Sequence, residues 1–251
     1  MAKKVFVFDL DDTLIDNVHD YAEPIIDMAR IIIVELRSKA PHISTIIALE
    51  EEIDKRRVHE INPATGQKFL YSKERFPGSL VETYNAICRK VGLEPRAHTQ
   101  QDLYKAGVRA FDKNQYRKNI HPSAFDVINF LYEQGDIPML LSKGDKDVQS
   151  NKFAALDAYN TFERAKIVDI KTSETFRQML AGYNGYKAYS VGNDYEKDIV
   201  PALEVEYQGV FIPVENWETT GRMDEIMALV DRSRCVVLKD LSEFKERYGE
   251  L

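Results

Sequence analysis

The feature that most constrains this chain is the run Val5-Phe6-Val7-Phe8, which opens directly onto Asp9-Leu10-Asp11-Asp12-Thr13-Leu14. A β-branched and aromatic run without polar alternation suits a strand buried on both faces of a parallel sheet. Parallel strands need crossover connections, yet nothing strand-like follows for more than a hundred residues. Comparable runs then come in quick succession at 138–141, 166–170, 188–191, 209–213 and 235–238. Amphipathic stretches separate or follow them at 124–134, 147–160, 173–181, 196–205 and 223–231. Such alternation predicts a Rossmann-like, doubly wound α/β sheet.

The stretch between the first strand and the second has a different character. Helical periodicity runs through 21–39, 43–58, 79–91 and 99–113, strand-like runs are missing, and Asn62-Pro63-Ala64-Thr65-Gly66 reads as a turn. The simplest organisation is an α/β core of residues 1–15 and 120–251 with an all-α unit, 16–119, inserted after the first strand. The run Glu50-Glu51-Glu52 followed by Lys55-Arg56-Arg57 reads as a solvated helix face with i,i+4 pairs.

Composition closes off several classes. With 251 residues, 44% hydrophobic and 30% charged, the chain can build a large core, which excludes disorder, collagen-like repeats and disulfide scaffolds. Cys88 and Cys235 lie far apart in no metal-ligand spacing, as expected of reduced thiols in a cytoplasmic protein. The apolar stretch 31–34 falls far short of the ~20 residues a membrane span needs, and Met1-Ala2-Lys3-Lys4 does not lead into a secretory h-region. A net charge of −7 argues against broad nucleic-acid binding. The expected partner is a small molecule, with neither nucleic acid nor membrane.

Open parallel sheets place ligands at the carboxyl ends of their strands, and four polar clusters fall there. Asp9 and Asp11 in an extended loop can point to one side, a carboxylate pair that invites a hard divalent cation, above all Mg²⁺. Ser142, in Leu141-Ser142-Lys143-Gly144-Asp145, puts a hydroxyl at the second strand end, and Gly144 lets backbone amides approach an anion. Lys171 follows the third run. Gly192-Asn193-Asp194-Tyr195-Glu196-Lys197-Asp198 follows the fourth. Each has a plain structural alternative: an Asx-turn at Asp9–Asp12, a helix cap at Ser142, a surface lysine at Lys171, and a helix N-terminus at Asp194 and Asp198. Together they point to a metal, a phosphate and a nucleophile on one sheet edge.

In that order and spacing the four clusters resemble the motifs of the haloacid dehalogenase-like superfamily, in its phosphatase form. The resemblance implies an aspartyl-phosphate mechanism in which Asp9 attacks phosphorus and Asp11 protonates the leaving oxygen, then deprotonates water. It also implies that Ser142 binds a phosphoryl oxygen and that Lys171 neutralises charge on Asp9 and the transferring group. Mg²⁺ would be held by Asp9, Asp11 and either Asn193 or Asp194, with Asp198 orienting Lys171 or a metal-bound water. The fourth motif departs from the common Gly-Asp, since Asn193 follows Gly192 and the acid comes one residue later; Asp194 is slightly preferred as the ligand. Asp12 and Thr13 are expected to hold the loop. Asp11 favours phosphate chemistry over dehalogenation, because a departing halide needs no proton.

The resemblance also makes the helical insertion a cap that selects substrate. Its most loop-like part, 59–79, carries Lys68, Tyr71, Lys73, Arg75 and Phe76, and Lys73 or Arg75 is the candidate contact to an anionic leaving group. Asn17 and His19 follow the first motif closely enough to line a cleft. The expected activity is Mg²⁺-dependent hydrolysis of a small soluble phosphomonoester. The alternatives are a phosphotransferase or phosphosugar mutase of the same superfamily, a phospho-acceptor signalling module, and a non-catalytic phospho-ligand binding protein.

Overall fold

The computed structural model describes residues 3–216 and 219–251. The chain forms two compact units, Met1–Asn17 with Lys113–Leu251, and Val18–Asp112. The sheet unit holds six parallel strands: β1 (Lys4–Phe8), β2 (Ile137–Lys143), β3 (Arg164–Val168), β4 (Lys187–Gly192), β5 (Gln208–Phe211) and β6 (Cys235–Val237). Their order is β3-β2-β1-β4-β5-β6, and every pairing is parallel. Chain direction across the sheet reverses between β1 and β4, the place where such sheets bind ligands.

In the helical unit lie α1 (Ala22–Leu36), α2 (Ile43–Arg57), α3 (Arg75–Lys90) and α4 (Ala97–Val108). The sheet unit carries α5 (Lys113–Tyr116), α6 (Ala124–Glu133), α7 (Lys146–Ala155), α8 (Ala158–Thr161), α9 (Ser173–Met179), α10 (Val200–Leu203) and α11 (Met223–Leu229). Among the described residues no helix is long and apolar enough to cross a membrane. Cys88 and Cys235 are both buried free thiols.

β1 shows why its sequence is apolar without alternation. Phe6 and Phe8 enter one core with Leu140, Tyr189, Val191 and residues of α6. Val5 and Val7 enter another on the opposite face, with Met139, Leu141, Phe176 and Tyr207. All five residues of β1 are buried, and each large apolar side chain so placed contributes roughly 1.5–3 kcal/mol. The strand that presents Asp9 is therefore held by packing on both faces.

Several boundaries differ from those the sequence suggests, each for a local reason. The helical unit is shorter than 16–119, because the Asp16 amide donates to the Asn119 carbonyl and the His121 amide to the Leu14 carbonyl, both at 2.8 Å. These bonds tie 16–17 and 113–119 to the sheet unit. α3 starts at Arg75 despite Pro77, since Pro in a first helical turn gives up an N–H that has no intrahelical acceptor there. The stretch 147–160 is two helices, interrupted where Asp157 adopts φ +50°; the break lets Phe153, Leu156, Ala158 and Phe162 all reach one core. β3 is Arg164–Val168 rather than 166–170, and Ile170 is exposed.

The helical unit has its own apolar interior, with Met28, Ile32, Leu80, Tyr84, Ile87 and Leu103 at its centre. Between α2 and α3 runs a buried polar seam. Arg75 pairs with Asp54, and the Ser79 hydroxyl donates to Glu50 at 2.7 Å. Burial, reinforced by the Asp54 charge, pushes the Glu50 carboxyl up to about 8. An acid raised in this way costs stability as pH rises, because the unfolded chain ionises from its ordinary 4.5 upward while the folded one stays protonated until about 8. Glu50→Gln is therefore expected to match wild type in thermal melts near pH 5 and to exceed it increasingly toward pH 8. Parallel melting curves across that range would contradict a neutral, buried Glu50.

Candidate active site

The site is assembled by the carboxyl ends of β1 and β4. Pairing continues one residue past β1, where the Asp9 amide donates to the Val191 carbonyl at 2.8 Å. Asp9 is thus set beside Gly192, the end of β4. The following loop closes on itself: the amides of Leu14 and Ile15 donate to the Leu10 carbonyl at 2.9 and 3.0 Å, and that of Asp12 to the Ile15 carbonyl at 2.7 Å. Asp12 takes φ +58° in this turn, and its carboxylate accepts from the Asn17 amide at 2.8 Å. Leu10, Leu14 and Ile15 are fully buried beneath it. The aliphatics anchor a loop whose acids divide between a buried position, Asp9, and half-buried ones, Asp11 and Asp12.

Lys171 lies three residues past β3, immediately before Thr172, which caps α9 in a reciprocal pair with Thr175. Its ammonium donates to Asp9 Oδ1 and to Asp198 Oδ1 at 2.8 Å. All three side chains are almost wholly buried, Lys171 at 2% exposure. Burial opposes the Lys171 charge, but Asp198 and Asp9 more than offset it and hold the ammonium above its ordinary value. Burial, then the Asp198 charge, pushes Asp9 up to about 7, with Lys171 pulling it back. The other Asp9 oxygen, Oδ2, receives a longer contact from the Thr13 hydroxyl at 3.5 Å.

Asp198 reaches this position through a wide π-turn, Tyr195–Ile199, rather than the plain helix expected over 196–205. Extra residues in a turn of this kind often re-aim a functional side chain. Here Asp198 Oδ2 accepts from the Asp194 amide at 3.0 Å, and the Ser190 hydroxyl donates to the Asp198 carbonyl at 2.7 Å. Gly192 is required: a Cβ there would stand 2.5 Å from Asp198 Oδ2. Asp194 caps the turn, accepting from the Lys197 amide at 3.0 Å, and its other oxygen lies 3.1 Å from the Lys197 ammonium. Asn193, between Gly192 and Asp194, is buried.

Asp11 stands apart from the Asp9 cluster in its surroundings, with 25% of its side chain exposed. Lys152 donates to its Oδ1 at 2.5 Å and Gln149 Nε2 to its Oδ2 at 2.8 Å. Gln149 also joins Ser142, whose hydroxyl donates to Gln149 Oε1 at 2.9 Å. Lys152 reaches Asn17 Oδ1 as well, at 2.5 Å. The structure thus brings Asp9, Lys171 and Asp198 into direct contact, and joins Asp11 to Ser142 through Gln149. Asn17 belongs to the same network. Lys73 and Arg75 belong to the helical unit, where the Arg75 guanidinium is committed to Asp54 and holds α3 to α2. Lys152 and Gln149 were not apparent from sequence; the available signal was their i,i+3 spacing on a helix that begins just after Ser142.

No group of three or more His, Cys, Asp or Glu side chains stands ready to hold a metal among the described residues. The side-chain oxygen donors just past β1 and β4 include the Asp9, Asp11, Asp194 and Asp198 carboxylates and the Asn193 amide. Such a partial set suits Mg²⁺, which keeps several waters and commonly takes one or two carboxylates plus substrate phosphate oxygens.

Solved structures share this architecture across the chain. A haloacid dehalogenase-like family hydrolase from Xanthomonas campestris superposes with a TM-score of 0.67 at 17% identity, covering 99% of this chain and 91% of that one. The HAD-hydrolase YfnB from Bacillus subtilis, bound to magnesium, gives 0.58 at 12% identity over 99% and 100%. The L-2-haloacid dehalogenase from Xanthobacter autotrophicus gives 0.51 at 15% identity over the whole of both chains. No protein-family model matches the sequence, and no curated protein matches it either. The chain has the Rossmann-like α/β fold of the haloacid dehalogenase-like hydrolases.

Removing the one cation between two buried carboxylates leaves them uncompensated, a loss of about 3–5 kcal/mol. Lys171→Met is expected to lose stability on that scale in urea unfolding, because Asp9 and Asp198 would then face each other unpaired. Lys171→Met combined with Asp198→Asn should recover part of the loss. A double variant no more stable than the single one would contradict this account of the cluster.

Proposed function

We propose that this protein is a Mg²⁺-dependent phosphomonoester hydrolase that works through an aspartyl-phosphate on Asp9 and acts on a small phosphorylated metabolite. The observation that carries the reading is the different setting of two carboxylates two residues apart. Asp9 is buried against Lys171, whereas Asp11 is partly exposed and held at both oxygens by Lys152 and Gln149. The first setting suits a nucleophile supported by a fixed cation, and the second suits an acid and base at the edge of the site. A departing alkoxide needs a proton and a departing halide does not, so Asp11 favours phosphate over the carbon–halogen chemistry named for some proteins of this fold.

In the first step an Asp9 oxygen bonds to phosphorus as the bond to the leaving oxygen breaks, and Asp11 gives that oxygen its proton. Water then attacks the phosphorus of the acyl phosphate, passing a proton back to Asp11, and the Asp9–phosphate bond breaks to release inorganic phosphate. Lys171 offsets negative charge on Asp9 and on the transferring group throughout. Ser142, whose proton lies toward Gln149 in the resting arrangement, binds a phosphoryl oxygen after its hydroxyl rotates.

The Asp9 carboxylate and the Asn193 amide are the side chains that would hold Mg²⁺; Asp11 and Asp194 are less suited, their carboxylates being used by Lys152 with Gln149 and by Lys197. When bound, the ion supplies charge compensation between an anionic nucleophile and an anionic substrate. Asp9 and Asp198 share the single ammonium of Lys171, an excess of negative charge beside which a phosphate would have to arrive. Magnesium in the Bacillus protein of the same fold agrees with a need to compensate it.

Purified protein with added Mg²⁺ is expected to release inorganic phosphate from p-nitrophenyl phosphate, and chelation should stop it. Asp9→Asn should lower turnover by at least about a thousandfold while leaving the melting temperature close to wild type or above it. Hydrolysis that persists in Asp9→Asn would overturn the covalent route. Halide release from a 2-haloacid without phosphate release from any ester would overturn the substrate class.

A further inference from the structure

We infer that Lys152, assisted by Gln149, is the positioning residue for Asp11, holding the proton-transferring carboxylate in its working orientation from a helix outside the catalytic loop. The inference rests on the phosphatase reading above and adds a component to it. Asp11 is carried by a turn, and a group that must hand a proton to one particular oxygen has to be fixed more closely than a turn alone fixes a side chain. α7 supplies that constraint. Its N-terminus is capped by Asp145, which accepts from the amides of Asp147 and Val148 at 3.0 and 3.2 Å. Positions 149 and 152 then share a helix face.

The two donors divide the carboxylate between them. Lys152 takes Oδ1 at 2.5 Å and Gln149 takes Oδ2 at 2.8 Å, so the plane of Asp11 is set. Both donors are themselves fixed. Gln149 is oriented by the Ser142 hydroxyl, and Gly144, at φ +130°, allows close approach, because a Cβ there would lie 3.2 Å from Gln149 Nε2. The Lys152 ammonium also donates to Asn17 Oδ1 at 2.5 Å and lies 5.2 Å from the centre of the Tyr116 ring.

A purely structural role accounts poorly for this lysine. The loop 9–15 is already closed by its backbone bonds and anchored by Leu10, Leu14 and Ile15. Burying an ammonium to 3% exposure against a partly exposed carboxylate is a costly way to add stability to it. The expense is reasonable if the product is orientation.

The test compares two leaving groups, because Asp11 matters in the first step only when the leaving oxygen needs a proton. For Lys152→Met, kcat/KM on an alkyl phosphate is expected to fall about 10–100-fold, while kcat/KM on p-nitrophenyl phosphate, whose phenolate departs unaided, falls by less than about threefold. Lys152→Arg should restore part of the alkyl phosphate activity. In an Asp11→Asn background Lys152→Met should cost nothing further, since residues acting through one another are not additive. Lys152→Gln is measured in parallel so that poor folding of one variant does not end the experiment. Equal loss on both esters, full alkyl phosphate activity, or an undiminished further loss in the Asp11→Asn background would each overturn the inference while the wild type still turns over both esters. Absence of wild-type turnover of either ester would overturn the phosphatase reading, and this inference with it.

Discussion

The site depends on one ammonium shared by two carboxylates. Lys171 sits between Asp9 and Asp198, drawn from the ends of three different strands. Without the lysine these acids could not both be buried at charge. Its presence makes the position of Asp9 a property of the sheet rather than of a loop, since β1, β3 and β4 must all be in register for the contact to form. The same contact explains why Gly192 carries no side chain and why the chain after it widens into a π-turn: both keep Asp198 within reach of Lys171.

From that anchor the two neighbouring acids of the first loop diverge. Asp9 lies where β1–β4 pairing is still intact and its carboxyl is pushed up to about 7 by burial and by Asp198. Asp11 comes two residues later, after the chain has left the sheet, and takes its partners from α7 instead. A single short segment therefore delivers one carboxylate to a dry, charge-dense cluster and another to a wetter edge. Under the proposed function the first of these acids is the nucleophile and the second the acid and base.

Much of the sheet unit was legible in the sequence because double burial leaves a strong mark. Phe6 and Phe8 face one core and Val5 and Val7 the other, so β1 can only read as an uninterrupted apolar run. Strand-end placement drew attention to Asp9, Ser142, Lys171 and Asp198 for the same reason. What could not be read was anything decided by a pairing between distant elements. Ile170 looked like strand but is exposed beyond β3, and Asp157 gave no sign of its left-handed turn. Arg75 looked available for an anionic substrate, yet a buried partner, Asp54, one helix away, fixes its use. Lys152 shows the limit most clearly: a lysine on an amphipathic helix reads as solvated until Asp11 is found opposite it.

The organisation of the site also bears on how tolerant it is. Asp9 is determined by backbone pairing, a buried strand and a buried ion pair, so three independent constraints would have to fail together before it moved. Asp11 is determined by a turn and by two side chains, one of which, Gln149, is shared with Ser142. A disturbance at Gln149 therefore reaches both the Ser142 hydroxyl and the Asp11 carboxylate, whereas one at Lys152 reaches Asp11 and Asn17, the last residue of the sheet unit before the chain enters the helical one. Asp9 is thus built into the architecture, while Asp11 is held by a few side chains on α7, which makes that helix the place where the setting of Asp11 can be altered without rebuilding the sheet.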